Sequence, residues 1–278
     1  MRLRLKNRTL DLSTPVVMGV LNVTPDSFSD GDRFVTPDAA LAQARAMVAE
    51  GARIVDVGGE STRPGVEPVP EAQELERVLP VIEHIHAELD CVVSIDTMKP
   101  AVMRAACAAG AELINDVLAL RAPGALEAGR DSGAAVCLMH MQGEPRSMQQ
   151  APRYGDVVAE VRDFLHGRVA ACERVGLARE RIVVDPGFGF GKTLEHNLRL
   201  LGALDRLAPP GVPLLVGVSR KSMFGQLLGR AVGEREAGSL AVAALAAWQG
   251  AAIVRTHDVR ATMDALKVTA AIRAARRE

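Results

Sequence analysis

The sequence predicts an α/β fold, a (β/α)8 TIM barrel with extended loops at the C-terminal face of its strands. Three observations indicate this fold. Short β-branched apolar runs recur eight times, Ala-, Leu- and Glu-rich segments long enough for crossover helices separate them, and the long polar loops follow the runs. No linker or low-complexity segment interrupts the 278 residues, so we predict a single domain over residues 1–278.

The predicted strands are apolar along nearly their whole length. They cover residues 16–21, 52–57, 91–95, 112–114, 134–138, 181–184, 212–217 and 251–254. This character is typical of strands buried on both faces in a parallel sheet. An open doubly wound sheet is the alternative, but its Gly-x-Gly-x-x-Gly turn is absent after the first run, where residues 21–25 read LNVTP.

The predicted helices cover residues 37–50, 71–89, 100–109, 156–175, 194–207, 236–250 and 259–277. The segment 156–175 shows the pattern best, because Val157, Val161 and Leu165 fall on one face. Several of these segments end in a glycine just before a strand, as helices with glycine C-caps do. These glycines are Gly51, Gly110, Gly176 and Gly250.

Three strand-to-helix loops, 22–37, 58–70 and 140–155, are long and rich in Gly, Pro, Ser and Asp. The helix-to-strand loops are short. Long loops at only one end of a barrel mark its catalytic end.

Composition excludes several classes of function. The net charge of −1 provides no general attraction for nucleic acid or for a membrane, so an anionic substrate needs a local basic cluster. The four cysteines form no Cys-x-x-Cys pair, and we expect buried, reduced thiols. The charged N-terminus lacks the apolar core of a signal peptide, and no apolar run reaches the roughly 18 residues that span a bilayer. We therefore expect a soluble, cytoplasmic protein.

Polar side chains follow the predicted strands and should converge on one cavity of the barrel. We name two groups among them. The acceptor floor comprises Asp56, Asp96, Asn115 and Asp185. The cationic rim comprises Thr62, Arg63, Ser219, Lys221, Arg255 and His257. Asn22 ends the first strand and Met139 the fifth.

Each residue also has a structural interpretation. Asp96, Asn115 and Asp185 could cap the helices that follow them, since Asp and Asn are favoured N-caps. Asp56 could instead stabilise the barrel interior, and Met139 could belong to the core.

The basic residues likewise have either a structural or a functional interpretation. Arg63 could be a solvated loop charge. Lys221 lies near a helix start, where the macrodipole disfavours a cation, which favours a functional role. Arg255 and His257 alternate along a strand end and can face the same side.

The segment PGFGFGKT at 186–193 looks like a phosphate-binding loop, but that pattern requires glycine where Pro186 stands. It also has to follow the strand directly, whereas Asp185 occupies the junction. We expect these glycines to shape a tight loop, with Phe190 as an aromatic wall of the site.

Seven segments together resemble the dihydropteroate synthase family, in order and over nearly the whole chain. They are GVLNVTPDSFSDG (19–31), DVGGESTRPG (56–65), SIDT (94–97), INDV (114–117), DPGFGFGK (185–192), GVSRKS (217–222) and RTHDV (255–259). The resemblance implies a (β/α)8 barrel that joins 6-hydroxymethyl-7,8-dihydropterin diphosphate to p-aminobenzoate.

The resemblance also implies roles for the residues. Asp96, Asn115 and Asp185 would accept from the pterin's donor edge, and Lys221 would donate to its carbonyl side. Arg255, His257, Thr62 and Arg63 would hold the diphosphate, and Asn22 would be a ligand for Mg²⁺. A p-aminobenzoate pocket would use Thr62, Pro64, Phe190 and Ser219, and Met139 would contact substrate.

The family also implies a homodimer formed through the outer helices. Two other functions remain open. One is a pterin-binding barrel that moves a methyl group to a corrinoid, and the other is a non-catalytic pterin-binding paralogue. The STRPG and SRKS segments argue against the first, and the presence of every motif residue argues against the second.

Overall fold

A computed structural model describes residues 1–24, 36–61, 67–144 and 147–276 of the chain. An antiparallel hairpin of β1 (Arg2–Arg4) and β2 (Thr9–Asp11) comes first. Eight parallel strands then form the barrel: β3 (Val16–Asn22), β4 (Ile54–Gly58), β5 (Val92–Asp96), β6 (Leu113–Asp116), β7 (Ala135–Met139), β8 (Ile182–Asp185), β9 (Leu215–Gly217) and β10 (Ile253–Thr256). The predicted fold class is confirmed.

Helices follow the barrel strands on the outside. They are α1 (Pro37–Ala49), α2 (Glu71–Glu88), α3 (Pro100–Ala108), α4 (Ala125–Asp131), α5 (Val157–Arg174), α6 (Leu194–Leu201), α7 (Ser222–Leu228), α8 (Glu236–Trp248) and α9 (Val259–Ala275). Among the described residues, no helix is both long enough and apolar enough to cross a membrane. All four cysteines are buried and free, as predicted.

The sheet closes on itself between β8 and β9. From β3 to β8 each strand pairs with the next along the chain, and β10 lies between β9 and β3. At the closure, Val184 bridges Leu214, and the Val184 N–H donates to the Pro213 carbonyl oxygen at 3.0 Å. Closure leaves no sheet edge, so the strand ends form a ring around one interior.

Both faces of the strands are buried, which explains their continuous apolar character. In β4 and β5, Val55 and Val93 face outward and pack in the cluster that includes the helices. Ile54 and Val92 face inward and belong to a second cluster inside the barrel. The alternation follows from the two-residue period of a strand.

The hairpin seals the N-terminal end of this interior. Its Leu3, Leu5, Leu10 and Leu12 are buried in the same inner cluster as Met18 of β3. The hairpin was not predicted from the sequence, although leucine alternates with polar residues on each side of a short turn. Two strands of three residues give too short a pattern to stand out.

Towards the C-terminal ends of the strands, the inward-facing positions change from apolar to polar. In β4, Ile54 is followed two residues later by Asp56, and in β5 Val92 is followed by Ser94 and Asp96. The lower interior is therefore an apolar core, and the upper interior collects polar groups on the same inward-facing rows.

Four helices end in the same glycine-capped turn before a strand. Gly51, Gly110, Gly176 and Gly250 have φ of 110°, 122°, 89° and 101°. In each turn the next residue donates its N–H back to the helix: Ala52 to Met47, Ala111 to Ala106, Leu177 to Cys172, and Ala251 to Ala246, at 2.9 to 3.1 Å. This is the Schellman motif, and the predicted C-caps are confirmed.

Three helices differ from the sequence prediction. The segment 194–207 is helical only to Leu201, because Gly202 caps the helix and a separate 3-10 turn, Leu204–Arg206, follows. The helices α4 and α7 were not predicted, since seven residues each are two turns and show little periodicity.

The capping glycines give a test of the fold. At Gly176 an added Cβ meets nothing within 4 Å, so Gly176→Ala should cost only the strain of positive φ, about 1–2 kcal/mol. At Gly110 the added Cβ would overlap the His86 ring, so Gly110→Ala should cost clearly more. Urea unfolding of both variants measures the difference, and equal losses would contradict the described packing.

Candidate active site

One level of the barrel interior carries polar side chains from adjacent strands. The register aligns Asn22 of β3 with Gly58 of β4, Gly58 with Asp96 of β5, and Asp96 with Asn115 of β6. Gly58 keeps the gap between its neighbours open, because a Cβ there would lie 3.5 Å from Asn22 Oδ1 and 3.6 Å from Asp96 Cβ. The strand register thus brings three predicted site residues together.

Arg255 joins two carboxylates of the acceptor floor. Its Nε donates to Asp56 Oδ2 at 2.6 Å and its Nη2 to Asp96 Oδ2 at 2.8 Å. Asn115 Nδ2 also donates to Asp56 Oδ2, at 3.1 Å. Asp56 is fully buried, which agrees with the interpretation that it stabilises the interior. Arg255 was assigned to the cationic rim, and the structure places its guanidinium against the floor.

Burial and mutual repulsion set the charge of this group. Burial raises the pKa of Asp96 to about 7, with Arg255 opposing the rise and Asp56 adding to it. For Arg255, burial lowers the pKa but the carboxylates of Asp56 and Asp96 outweigh it, so the guanidinium remains charged. Asp96 is therefore more easily protonated than an exposed aspartate, although it lies beside a permanent cation.

A second acid–base pair lies at the ends of β8 and β9. Asp185 Oδ1 accepts from the Gly187 N–H at 2.7 Å. Burial raises the pKa of Asp185, although Lys221 and this N–H oppose the rise. Burial also lowers the pKa of Lys221 to about 8, and Asp185 favours its charged form. Lys221 is the N-cap residue of α7, as its predicted place near a helix start requires.

The predicted wall residues Met139 and Phe190 belong to one apolar cluster. Met139 is buried in a cluster that contains Phe190 as a partly buried member. The other members are Met98, Val117, Leu118, Met141 and Met148. Lys221 Nζ lies 4.7 Å from the centroid of the Phe190 ring, which couples this wall to the cationic rim.

His257 and Ser219 meet at the ends of β10 and β9. Ser219 Oγ lies 3.1 Å from the His257 backbone nitrogen and 3.0 Å from its Nδ1. Neighbouring Arg220 has φ of 58° and pairs with Asp258, and its N–H donates to Ser239 Oγ at 3.1 Å. Arg220 thus pairs with the N-cap residue of α9 and with α8, while Ser219 and Lys221 on either side contact His257 and Phe190.

The alternative that the floor residues cap helices is wrong. The N-cap positions of α3, α4 and α6 are Lys99, Gly124 and Thr193. Asp96, Asn115 and Asp185 therefore owe their places to the barrel interior. Thr62, Arg63 and Pro64 lie outside the described residues, so their assignments stay predictions. Residues 26–30 of the GVLNVTPDSFSDG segment also lie outside the described residues.

Asp116 and Lys192 are buried polar residues that received no role from the sequence. Asp116 accepts the N–H groups of Leu118 and Leu120, both at 2.7 Å, and so shapes the turn after β6. Lys192 Nζ bonds to the protein's own carbonyl oxygens, which agrees with rejecting a phosphate loop. The one feature of the sequence that could have indicated a role for Lys192 is the position of a lysine inside a glycine-rich apolar segment.

The residues present restrict how a metal could bind. Within the parts of the chain described, no group of three or more His, Cys, Asp or Glu side chains could hold a metal ion. Asn22 offers a single side-chain oxygen at the level of Asp96. Such a site suits an ion that keeps most of its waters or takes its oxygens from a substrate, as Mg²⁺ does.

Comparison with known proteins identifies one family by two independent matches. Residues 18–257 match the family described as pterin binding enzyme. A relative from Escherichia coli K12, dihydropteroate synthase, is 52% identical over 271 residues, 98% of this chain and 96% of that protein.

Solved structures agree with this result. The Yersinia pestis dihydropteroate synthase, in a sulfonamide drug complex, has a TM-score of 0.94 and 49% identity, and covers 99% of this chain and 100% of that one. The Burkholderia cenocepacia enzyme, complexed with 7,8-dihydropteroate, has a TM-score of 0.91 and 51% identity over 99% and 98% of the two chains.

The ion group on Arg255 gives a test. Arg255→Met leaves two buried carboxylates without their cation and should lower the free energy of unfolding by about 3–5 kcal/mol. Asp96 has a folded pKa above its unfolded value, so its stabilising effect is present at low pH and lost as pH rises. Without Arg255 this loss of stability with rising pH is larger. The difference in free energy of unfolding between the wild type and Arg255→Met should therefore be greater at pH 8 than at pH 5.

Urea unfolding at both pH values measures this effect. The matched control is Arg199→Met, because the pair of Arg199 with Glu195 is 59% and 69% exposed and should contribute no more than about 1 kcal/mol. Equal losses in the two variants would refute the described role of Arg255.

Proposed function

This chain belongs to the pterin-binding enzyme family, and from that premise we propose how its inward-facing strand ends perform the dihydropteroate synthase reaction. The enzyme joins 6-hydroxymethyl-7,8-dihydropterin diphosphate to p-aminobenzoate and releases 7,8-dihydropteroate and diphosphate. The observation that carries this function is the 52% identity to a dihydropteroate synthase across 98% of the chain. The corrinoid methyltransferase and the non-catalytic paralogue have no comparable support.

The pterin ring should bind over the acceptor floor. Its 2-amino group and N3 present donors, and each buried donor left without a partner costs roughly 1–3 kcal/mol. Asp185 and Asn115 supply acceptors at the strand ends, with Asp96 beside them. Lys221, next to Asp185, can donate to the carbonyl side of the ring. Met139 and Phe190 offer apolar surface to the flat faces of the ring.

The diphosphate should lie towards the cationic rim. His257 at the end of β10 and the outer edge of the Arg255 guanidinium are suited to bind its oxygens, together with Thr62 and Arg63. p-Aminobenzoate should bind beside them, between Phe190 and Ser219, with Thr62 and Pro64 completing the pocket. The Ser219 hydroxyl then meets the carboxylate of p-aminobenzoate.

The reaction is a substitution at the pterin methylene carbon. Its C–O bond breaks, the electron pair leaves with the diphosphate, and the p-aminobenzoate nitrogen forms the new C–N bond and loses a proton. Arg255 and His257 stabilise the departing charge. Asp96 and Asp185 in their ionised forms stabilise positive charge on the methylene. No covalent enzyme intermediate is required.

Mg²⁺ is proposed as the metal ion, with Asn22 as its ligand from the protein. A bound Mg²⁺ would neutralise diphosphate charge and so assist its departure. The single amide oxygen of Asn22 fits an ion that takes its remaining ligands from phosphate and water. Reduced cysteines fit a cytoplasmic location, and sulfonamide binding by the Yersinia pestis relative suggests that this chain binds sulfonamides too.

A homodimer is proposed through the outer helices of the last barrel repeats. The helices α8 and α9 pack together and present large apolar side chains to solvent. These are Leu245, Trp248, Val268 and Ile272, which are 59%, 37%, 60% and 55% exposed. Exposed apolar side chains on two adjacent helices are typical of a protein–protein contact.

The function has a direct test. Mixing pterin diphosphate, p-aminobenzoate and Mg²⁺ with the protein should release diphosphate, and omitting p-aminobenzoate should abolish the release. Asp96→Asn should lower kcat by roughly 10²–10³-fold, because its charge in the transition state is lost. Asn22→Ala should raise the Mg²⁺ concentration needed for half-maximal rate.

Cooperative unfolding of Asp96→Asn, followed by circular dichroism, controls for loss of fold. A folded wild-type protein without diphosphate release would refute the function. Full activity of Asp96→Asn would refute only the role of that carboxylate.

The dimer has a separate test. Val268→Glu with Ile272→Glu should convert a dimer to a monomer, measured by sedimentation equilibrium, because charges would be buried in the contact. Lys267→Glu, beside Val268 on the same helix, is the control and should leave the dimer intact. A wild-type protein that sediments as a monomer would refute this surface as an interface.

A further inference from the structure

The segment 186–191 after β8, which we name the glycine loop, has an uncommon pattern of hydrogen bonds. Five consecutive carbonyl oxygens, from residue 187 to residue 191, each accept from a side chain. The donors in chain order are Lys192, Lys221, Gln149, Lys192 again and the Tyr154 hydroxyl. Five held carbonyls restrain the conformation of this loop, and Lys192 contributes two of these bonds.

Lys192 is almost fully buried, at 3% exposure. Its Nζ lies 2.9 Å from Gly187 O, 3.0 Å from Phe190 O, 2.9 Å from His140 Nδ1 and 3.3 Å from His140 O. All four contacts are neutral acceptors. Burial lowers the pKa of the Lys192 ammonium well below its ordinary value, while Asp185 favours the charged form. The three shorter contacts match the three protons that the charged form carries.

His140 completes this arrangement, because the Nδ1 that faces a charged Lys192 accepts through its lone pair. With Nδ1 facing the Lys192 ammonium, the imidazole is neutral and carries its proton on Nε2. Burial, and then the charge of Lys192, lower the pKa of His140 to about 3. The edge-to-face contact with Phe164, at 4.9 Å between centroids, fixes the plane of the ring.

The glycine loop lies directly on the segment that follows β7. An added Cβ at Gly187 would overlap the His140 carbonyl oxygen, and one at Gly191 would come within 2.5 Å of Gln142 O. Both glycines have positive φ, 68° and 63°. Lys192 therefore joins two pieces of backbone that already touch, at the base of the proposed pterin site.

Three site residues depend on the loop that Lys192 holds. The Gly187 N–H donates to Asp185 Oδ1 at 2.7 Å, and the Gly187 carbonyl is held by Lys192. The Phe190 carbonyl also accepts from Lys192, and the Phe190 ring lies against Lys221 Nζ. Lys192 thus contacts Phe190 directly, reaches Asp185 through Gly187, and reaches Lys221 through Phe190.

We propose that Lys192, which donates a hydrogen bond to neutral His140, is a positioning residue. It holds Asp185, Phe190 and Lys221 in the arrangement that binds the pterin. It touches no substrate and acts through the glycine loop. This inference rests on the proposed dihydropteroate synthase function. It gives a role to buried Lys192, a residue that takes no part in the proposed chemical step.

The test is Lys192→Met, which keeps the length of the side chain and removes its donors. The kcat/KM for pterin diphosphate should fall on the order of 10- to 100-fold, as expected when reacting groups are displaced by about an ångström. Burial raises the pKa of Asp185, and Lys221, the Gly187 N–H, Lys192 and Arg255 each lower it. Removal of Lys192 should therefore move the acid limb of the pH profile to higher pH, which a loss of stability alone would not do.

A pair of variants at His140 separates positioning from folding. His140→Asn keeps a side-chain acceptor facing Lys192 and should keep most of the activity. His140→Leu removes that acceptor and should lower kcat/KM in the same direction as Lys192→Met, but with an unshifted acid limb, because Lys192 remains in place. This pair decides the question if Lys192→Met does not fold.

Histidine nitrogen chemical shifts give a readout that needs no turnover. In the wild type, His140 should remain the neutral Nε2–H tautomer down to pH 5. A His140 ring that protonates near pH 6.5 in the folded protein would overturn the inference.

The kinetic outcomes are equally decisive. A folded Lys192→Met variant with wild-type kcat/KM and an unshifted acid limb would overturn the inference, as would identical kinetics of the two His140 variants. Loss of diphosphate release by the wild type would instead refute the proposed function, so the two failures are distinguishable.

Discussion

The site depends on one buried guanidinium held between two carboxylates. Arg255 of β10 reaches across the barrel interior to Asp56 of β4 and Asp96 of β5, which lie on the far side of β3. Charges of one sign cannot gather in a closed interior at neutral pH without a counter-charge or a proton. The guanidinium allows the acceptor floor to exist there, and it leaves Asp96 with a pKa of about 7, balanced between its two forms.

Two kinds of polar construction meet in this barrel. The floor uses full charges, whose mutual attraction is strong because water is largely excluded. The glycine loop instead satisfies its carbonyl oxygens with side-chain donors, one by one. A charged floor can respond to the charge that develops in a substrate, whereas a saturated loop resists change and keeps its shape. A dihydropteroate synthase needs both, because it must recognise a flat heterocycle and also stabilise a departing diphosphate.

The strands and the level of the site were predictable because burial on both faces requires continuous apolar runs, and polar residues at their ends break that pattern. The pairing inside the site was not predictable. Arg255 and Asp56 are 199 residues apart, and only barrel closure brings them within hydrogen-bond distance. The sequence prediction therefore grouped Arg255 with the cationic rim because of its charge. The hairpin and the short helices α4 and α7 were missed because periodicity needs more than two turns or three residues to show.

The glycine-capped turns at the bottom of the barrel have a consequence for how this sequence can change over evolution. Each turn passes from helix to strand within a few residues, and so it fixes which residue of the strand first faces inward. Because side chains alternate, one residue inserted between Gly51 and β4 would turn Asp56 outward and bring Val55 and Val57 inside. Insertions at the opposite end of the strands cause no such inversion. Length variation among descendants of this chain should therefore accumulate in the upper loops, while the lower connections keep a constant number of residues.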